Sequence, residues 1–573
     1  MTDTATSSPS MADAAAKAVH PLTLAVVRHK LLAVTEEVVE TMSRTCFSPL
    51  LNQSRDFSAV ILDADAQVLA QAERVPIHMG AMPFAVKAMH AAFADQLGDG
   101  DVLMANDPYY GGSHLPDVTL AMPVWAGDEL CFWVALRAHQ GDIGGLSAGG
   151  YSPGAREIWH EGVRIPPIAL VEGGRMREDV LRLVCENTRK PHDMRGDIMA
   201  QLAAVRVGAQ RLCELLQRYG SHELARCAHG ILDAGEAAMR HQLSRWKAGT
   251  YHGVSYLDSD GCGNARVPIP CTVRLEADRV TVDFSDCPDQ VRSFMNSPIA
   301  NTVACVNVAF MYLSENQQTQ NQGSARAIEV ITRKGSIVDA VMPAPVTGCT
   351  TLSGSVIIES VLRAMESAAP QQVMAGFARR FRFVIAGERD RGGQSYIWHY
   401  FSNRGGAGAN IEEDGWSNLG VIHNPGGSPS PSVERTEASS PLQVECYELR
   451  TDSGGPGKSR GGLGGTYALR YVGDGPAVLN AAGEGVLVAP YAILGGHEGA
   501  THDYCIHRDG QVIALGSGDA GVEILPGDLI VCQSASGGGC GDPRQREPAL
   551  VRRDVEYGYV SPQAARDIYG HQE

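Results

Sequence analysis

The feature that most constrains this chain is a short turn between two apolar runs. Val118 to Trp125 is apolar and partly β-branched, and Leu130 to Leu136 is apolar and aromatic. Between them Ala126-Gly127-Asp128-Glu129 has turn chemistry. The pattern predicts an antiparallel hairpin with both strands buried. Residues equidistant from the turn of such a pair face each other. Asp117 then falls opposite Ala138 or His139, and His114 opposite Gly141 or Asp142. So His114-Leu-Pro-Asp117 and His139-Gln-Gly-Asp142, well separated in sequence, meet at the open end of one hairpin.

Two imidazoles and two carboxylates converging where strands give way to glycine-rich loops fit a divalent-metal site. Imidazole nitrogen with carboxylate oxygen suits Zn, Mn or Fe better than Ca or Mg. Gly111 and Gly112 precede His114, and Gly141, Gly144 and Gly145 follow His139; glycine permits close backbone approach to a ligand. Asp56, in Ser54-Arg55-Asp56-Phe57-Ser58, opens an earlier strand and can supply another carboxylate. Asp107, between Asn106 and Pro108, is expected to hold a ligand imidazole from behind. Any one of these residues alone reads as loop punctuation; their convergence is what points to a metal.

Composition narrows the partners. Lys plus Arg is 48 against 65 for Asp plus Glu, a net charge of -17, which repels phosphate backbones and anionic lipid, so neither nucleic acid nor a membrane surface is an expected partner. The longest nearly apolar run, Val303 to Leu313, is interrupted by Asn307 and falls short of the ~20 residues that span a bilayer. Met1 to Ala18 lacks the positive start and apolar block of a signal peptide, so a cytoplasmic location is expected. None of the 14 cysteines forms a C-x-x-C pair, which argues against a zinc ribbon or a thioredoxin-like motif.

The organisation predicted is α+β and multi-domain. Residues 1–20 read as a disordered tail and 21–177 as an N-terminal antiparallel metal-site region. Residues 178–248 read as a helical segment, 249–394 as mixed α/β, and 395–573 as glycine-rich loops with a β-rich C-terminal domain. Leu24, Val27, Leu31, Val34, Val38 and Met42 draw one helical stripe that Pro49 ends, and a second helix is expected over Pro83 to Leu97. Gly454-Gly455-Pro456-Gly457-Lys458-Ser459 resembles a P-loop end, but Asp452 stands where its first glycine belongs, so it reads as a tight turn. Glu186 to Pro191 can hold an anion through Arg189 or be a solvated loop. His160-Glu161 reads as a surface pair, and Cys349 as a buried thiol.

Several long strings then carry a family resemblance: Ser54-Arg55-Asp56-Phe57-Ser58; Asn106-Asp107-Pro108-Tyr109 with Gly112-Ser113-His114-Leu115-Pro116-Asp117; Arg137-Ala138-His139-Gln140-Gly141-Asp142-Ile143-Gly144-Gly145; Asp452 to Gly457 with Arg460-Gly461-Gly462-Leu463-Gly464; Gly537 to Pro543; and Asp554-Val555-Glu556-Tyr557-Gly558. From about Leu22 to Tyr569 the chain resembles the B-type subunits of the ATP-dependent hydantoinase and oxoprolinase family, which includes subunits of acetone and acetophenone carboxylases. It departs at Cys540 and at Ser353-Gly354-Ser355. The resemblance implies an A-type partner of actin-like fold that binds ATP and phosphorylates a carbonyl or enol oxygen of a lactam, hydantoin or ketone. The B-type chain then provides a divalent-metal site, with Asp56, His114, Asp117 and His139 as ligands and Asp142 close by. Asp117, His139 and Asp142 are the expected catalytic residues, Asp117 or Asp56 serving as base if not as ligand. The expected activity is ATP-dependent cyclic-amide hydrolysis of the hydantoin or 5-oxoproline type. The alternatives are ATP-dependent ketone carboxylation and a non-catalytic scaffold for the ATPase chain.

Overall fold

The computed structural model describes residues 19–72, 75–315, 320–388, 393–424 and 429–571. The expected tail at 1–20 lies outside them except for Val19 and His20, and His20 caps the first helix by accepting the Leu22 N–H. That helix, α1 (Pro21–Thr45), buries the predicted stripe through Val27, Leu31, Val34, Val38 and Met42. Pro49 does not simply end the region. It sits in the first turn of α2 (Pro49–Ser54), where its missing N–H is no loss. Arg55 then turns the chain left-handed at φ 51° and delivers Asp56 to the start of β1 (Phe57–Asp63).

Strand β2 (Val68–Ala72) returns beside β1. The next helix, α3 (Pro76–Phe93), starts seven residues before the predicted Pro83, which lies inside it. Pro83 forfeits one helical hydrogen bond, and the buried Met82, Val86 and Met89 hold the helix against the sheet regardless. Strands β3 (Val102–Ala105), β4 (Asp117–Ala126), β5 (Glu129–His139), β6 (Ile168–Glu172) and β7 (Arg175–Met176) complete a seven-stranded sheet of order β2-β1-β5-β4-β3-β6-β7. Asp117 pairs with His139 in the β4–β5 ladder, the register expected from the turn.

Both faces of this sheet are covered. Alternate side chains such as Phe57, Leu120 and Leu136 join a core with α1 and α5 (Pro191–Tyr219), the longest of the middle helices, which follow α4 (Glu178–Glu186) and precede α6 (Ser221–Ser244). The opposite set, Val60, Leu103, Trp133 and Ala135, packs on α3. Side chains alternate across a strand, so a strand buried on both faces must read as a continuous apolar run, and β4 and β5 do.

A second sheet, β8 (Gly249–Ser259), β9 (Ala265–Leu275), β10 (Val280–Asp283) and β11 (Ile328–Ile331), shares a core with α7 (Ile299–Leu313) and α8 (Gly354–Met365). The apolar run at 303–313 is therefore a buried helix. Toward the C-terminus come β12 (Phe381–Gly387), β13 (Tyr396–His399), β14 (Leu442–Leu449), β15 (Gly465–Tyr471), β16 (Ala477–Gly483), β17 (Asp503–Arg508), β18 (Gln511–Ala514), β19 (Val522–Ile524) and β20 (Leu529–Gln533). They form the sheets β13-β12-β16-β19 and β14-β15-β20-β17-β18, joined by an aromatic core that includes Phe383, Tyr400, Tyr467 and Tyr504. The class is α+β with several sheets, as the sequence predicts.

The glycine-rich strings also have a structural use. A Cβ on Gly537 would lie 1.7 Å from the Ala407 carbonyl oxygen, one on Gly408 1.8 Å from that of Ala375, and one on Gly406 2.0 Å from that of Gly462. Backbone packs directly on backbone, tied by Gly462 N–H to Ala407 O at 2.9 Å and Ala409 N–H to Gly538 O at 3.0 Å. The string Gly454 to Gly457 belongs to this stack, where Gly455 N–H donates to Gly537 O.

Candidate metal centre

The open end of the β4–β5 hairpin brings His114, Asp117 and His139 together, each buried, with one ligand atom apiece within 4.8 Å of one another. Asp117 Oδ1 lies 2.9 Å from His114 Nε2 and 3.2 Å from His139 Nδ1, and the two imidazole nitrogens are 3.1 Å apart. His114 Nδ1 is 2.8 Å from the Thr347 carbonyl oxygen. A carbonyl can only accept, so Nδ1 carries a proton and Nε2 presents its lone pair to the Asp117 oxygen unless a proton or a cation stands between them. His139 Nε2 is buried with no hydrogen-bond partner among the described residues.

The residues around this group hold it in place. Ser113 Oγ donates to Asp117 Oδ2, and Arg137 braces Ser113 Oγ at 3.3 Å and Thr119 Oγ1 at 2.9 Å. His78 Nε2 lies 3.5 Å from Asp117 Oδ2. Tyr151 stacks on His139 with ring centroids 5.9 Å apart. Burial works to raise the Asp117 carboxyl, but His114, His78 and the bonds from both ring partners outweigh it and hold the group well below its ordinary value. Burial lowers His139 and His78 and keeps them neutral. His114 is also penalised by burial, yet the Asp117 charge raises it above its ordinary value. The group is thus an ionised carboxylate and a neutral imidazole on either side of a basic one. Lone pairs crowd one point and a ring nitrogen is left unbonded, which is the donor set a divalent cation takes.

The other predicted residues separate. The Asp56 carbonyl accepts the His139 backbone N–H at 3.0 Å, and its carboxylate lies 3.9 Å from His78 Nε2; Asp56, His78 and His139 line one cavity, whereas His114 and Asp117 lie behind its wall. Asp142 lies outside the group of three whose ligand atoms converge. Its Oδ1 accepts Gly144 N–H and Arg189 N–H, and its Oδ2 accepts Gly149 N–H and Arg189 Nη1. Gly144, Gly145, Gly149 and Gly150 all turn at positive φ, and the Asp142 bonds tie this loop together while occupying Arg189. Asp107 caps Tyr109 N–H and pairs with Arg164 at 2.7 Å instead of holding an imidazole.

Glu161 is no surface pair. It is 0% exposed and accepts Val346 N–H at 2.9 Å and Thr347 N–H at 2.7 Å, which fixes the carbonyl that His114 faces. Burial pushes it up to about 7. Cys349 is a buried thiol, as expected. Sequence reasoning missed His78, Tyr151 and three buried arginines, Arg380, Arg382 and Arg404, that line the cavity next to His139. One signal for the arginines was available: Arg380-Phe381-Arg382-Phe383 places charges in an otherwise apolar strand.

The Hydantoinase B/oxoprolinase family model matches residues 20–543. The chain belongs to that family. Among its relatives, the beta subunit of the caprolactamase of Pseudomonas jessenii is 34% identical over 96% of both chains. The B-type subunit of a putative D-/L-hydantoinase of Pseudomonas sp. (strain NS671) is 28% identical over 97% of this chain and 95% of its own. The crystal structure of the ATP-dependent caprolactamase from Pseudomonas jessenii superposes with a TM-score of 0.92 at 33% identity, covering 97% of each chain. A nucleotide-free acetone carboxylase structure matches with a TM-score of 0.88 at 20% identity over 96% of this chain and 79% of that one, which is a likeness of fold. No helix among the described residues is long and apolar enough to cross a membrane.

Proposed function

We propose that this Hydantoinase B/oxoprolinase family chain is the metal-holding component of an ATP-dependent cyclic-amide hydrolase, acting on a lactam or hydantoin activated by phosphorylation in an A-type ATPase partner. The observation that carries the reading is the buried convergence of His114, Asp117 and His139, with His139 Nε2 left unbonded. The likeness to components of a caprolactamase and a hydantoinase supports amide hydrolysis. Both relatives are named as one subunit among others, which supports a partner chain.

Amide resonance makes the substrate carbonyl resist water, and phosphorylation of its oxygen removes that resistance. A divalent Zn, Mn or Fe ion, when bound, supplies Lewis acidity and lowers the pKa of water toward ~7. The chain's own residues prepare that site. Thr347 O fixes the His114 tautomer through Nδ1, so Nε2 points inward. Ser113 and His78 hold the second Asp117 oxygen, leaving Oδ1 toward the imidazoles. Burial keeps His139 neutral and able to give its lone pair. Asp56 lines the cavity with His139, and we assign it the part of a further ligand or of the proton acceptor.

The test is metal analysis and turnover of the complex with its ATPase partner. His139→Ala and Asp117→Asn should each lose the metal and lower amide cleavage on the order of 10²–10⁴-fold. Full turnover in His139→Ala would remove catalysis from this chain and leave it a scaffold. Incorporation of labelled bicarbonate into product would replace hydrolysis by carboxylation.

A further inference from the structure

We propose that Arg380, Arg382 and Arg404 form an oxyanion subsite that takes the phosphoryl group of the activated substrate beside His139. The proposal rests on the hydrolase reading for the identity of that substrate, and on the following geometry for the site itself.

The three guanidiniums line one cavity with Asp56, His78 and His139, and none is more than 6% exposed. Among the described residues none of the three lies within 4.0 Å of a carboxylate. Their partners are neutral. Arg380 donates to Tyr400 O at 2.9 Å, and Arg404 to Phe401 O at 3.0 Å and Pro429 O at 2.9 Å. Arg382 Nη2 donates to His399 Nδ1 at 3.1 Å, while His399 Nε2–H donates to Gly141 O at 2.9 Å, so that imidazole is neutral too. Arg382 Nε is buried with no hydrogen-bond partner among the described residues. Aromatic faces hold the forks: Arg382 lies 3.9 Å from the Tyr151 centroid, and Arg380 and Arg382 both lie 4.9 Å from that of Phe401.

Buried charges in folded proteins are ordinarily paired, because desolvation alone costs several kcal/mol per ion. Arg379 meets Glu359 at 2.7 Å and Arg546 meets Asp554 at 2.7 Å; the buried Arg137 bonds only neutral groups but stands alone, next to the Asp117 carboxylate through Ser113, whereas the cavity gathers three arginines. Here three cations face one carboxylate, Asp56. Burial and their mutual repulsion pull Arg380 down to about 10 and Arg404 to about 9. A single carboxylate ligand would be satisfied by one fork, whereas a tetrahedral phosphoryl group with three free oxygens uses several. The cavity also has His139 in its wall, so a phosphoryl group seated on the arginines keeps the attached substrate carbon beside the His/Asp/His group.

The probe is inorganic phosphate, titrated by calorimetry into the full-length chain after EDTA treatment so that no cation contributes. Saturable binding is expected, weakened at least tenfold in Arg382→Gln and Arg404→Gln, each checked for native circular dichroism. Arg382→Lys keeps the charge without the fork and serves if a glutamine variant fails to fold; it should bind more weakly than the wild type. Absence of phosphate binding, or unchanged affinity in the folded variants, overturns the subsite. In the complex with the ATPase partner, Arg382→Gln should still release ADP while amide cleavage falls, because the phosphorylated substrate is no longer held. Weakened phosphate binding with unchanged ADP release and unchanged cleavage would assign the site to free phosphate and overturn the proposal. Phosphate binding as expected in a wild-type complex that cleaves no lactam or hydantoin would overturn the hydrolase reading and leave the oxyanion site standing.

Discussion

Arg379 and Arg380 are neighbours in the chain, both buried, and treated in opposite ways by the fold. Arg379 lies between Glu359 and Glu484, at 2.7 Å and 3.4 Å, and also donates to Ser255 Oγ and the Tyr256 carbonyl. Arg380 meets a single carbonyl and the face of Phe401. The first arrangement ties β8, α8 and the entry to β12 into one unit; the second gives up compensation on the side where the cavity opens. The difference separates charges that hold the fold from charges kept ready for something that arrives.

The largest expected effect tests the paired side. Arg379→Ala leaves two buried carboxylates without their cation and should cost about 3–5 kcal/mol, read from the urea midpoint; a loss under ~1 kcal/mol would break the comparison. Glu161 comes next, since it is a buried acid satisfied by backbone N–H groups. Its folded pKa of about 7 lies above the ordinary 4.5. Below pH 4.5 it is protonated in both states, and between 4.5 and 7 the folded chain keeps a proton that the unfolded chain releases. Relative to Glu161→Gln, the wild type should therefore lose on the order of 3 kcal/mol as pH rises through that window and change no further above it.

His502 is the mirror case. Its Nε2–H donates to Arg379 O at 2.7 Å and its Nδ1 accepts Ala535 N–H at 2.9 Å, a network that only the neutral ring fits. Burial lowers it from 6.5 to about 4. Its contribution is fully present above pH 6.5 and is lost as pH falls, by on the order of 2 kcal/mol at pH 5; His502→Gln should remove that acid sensitivity from the unfolding midpoint. The smallest effect sharpens the unpaired side. Arg382→Gln should change stability by less than ~1 kcal/mol, or raise it, because a desolvated charge without a counter-ion is removed. A loss as large as that of Arg379→Ala would make Arg382 a structural residue.

What the sequence revealed follows from how local each signal is. The hairpin was legible because its register depends only on the turn and on alternation, and Asp117 does face His139. The roles of Asp107, Asp142 and Glu161 were not, because each is decided by a partner far along the chain: Arg164, Arg189, and the backbone at Val346 and Thr347. A carboxylate that anchors a loop and one that binds a metal look alike until the donors around them are known. The arginine cavity was hidden for the same reason, since Arg380 and Arg382 meet His78 and His139 only after two sheets have packed together. Pro49 and Pro83 misled at helix boundaries because proline is compatible with a first turn, and with an interior when burial is strong enough.

The backbone stack at Gly406, Gly408 and Gly537 bears on all of this. With no side chains as spacers, the segment that carries Phe401 and Arg404 is clamped between Ala375, Gly462 and Gly538. The stack sets where this part of the cavity wall stands through contacts internal to the chain. Association there need not spend free energy on ordering a loop, and discrimination between ligands falls to fit against a mould that is already set.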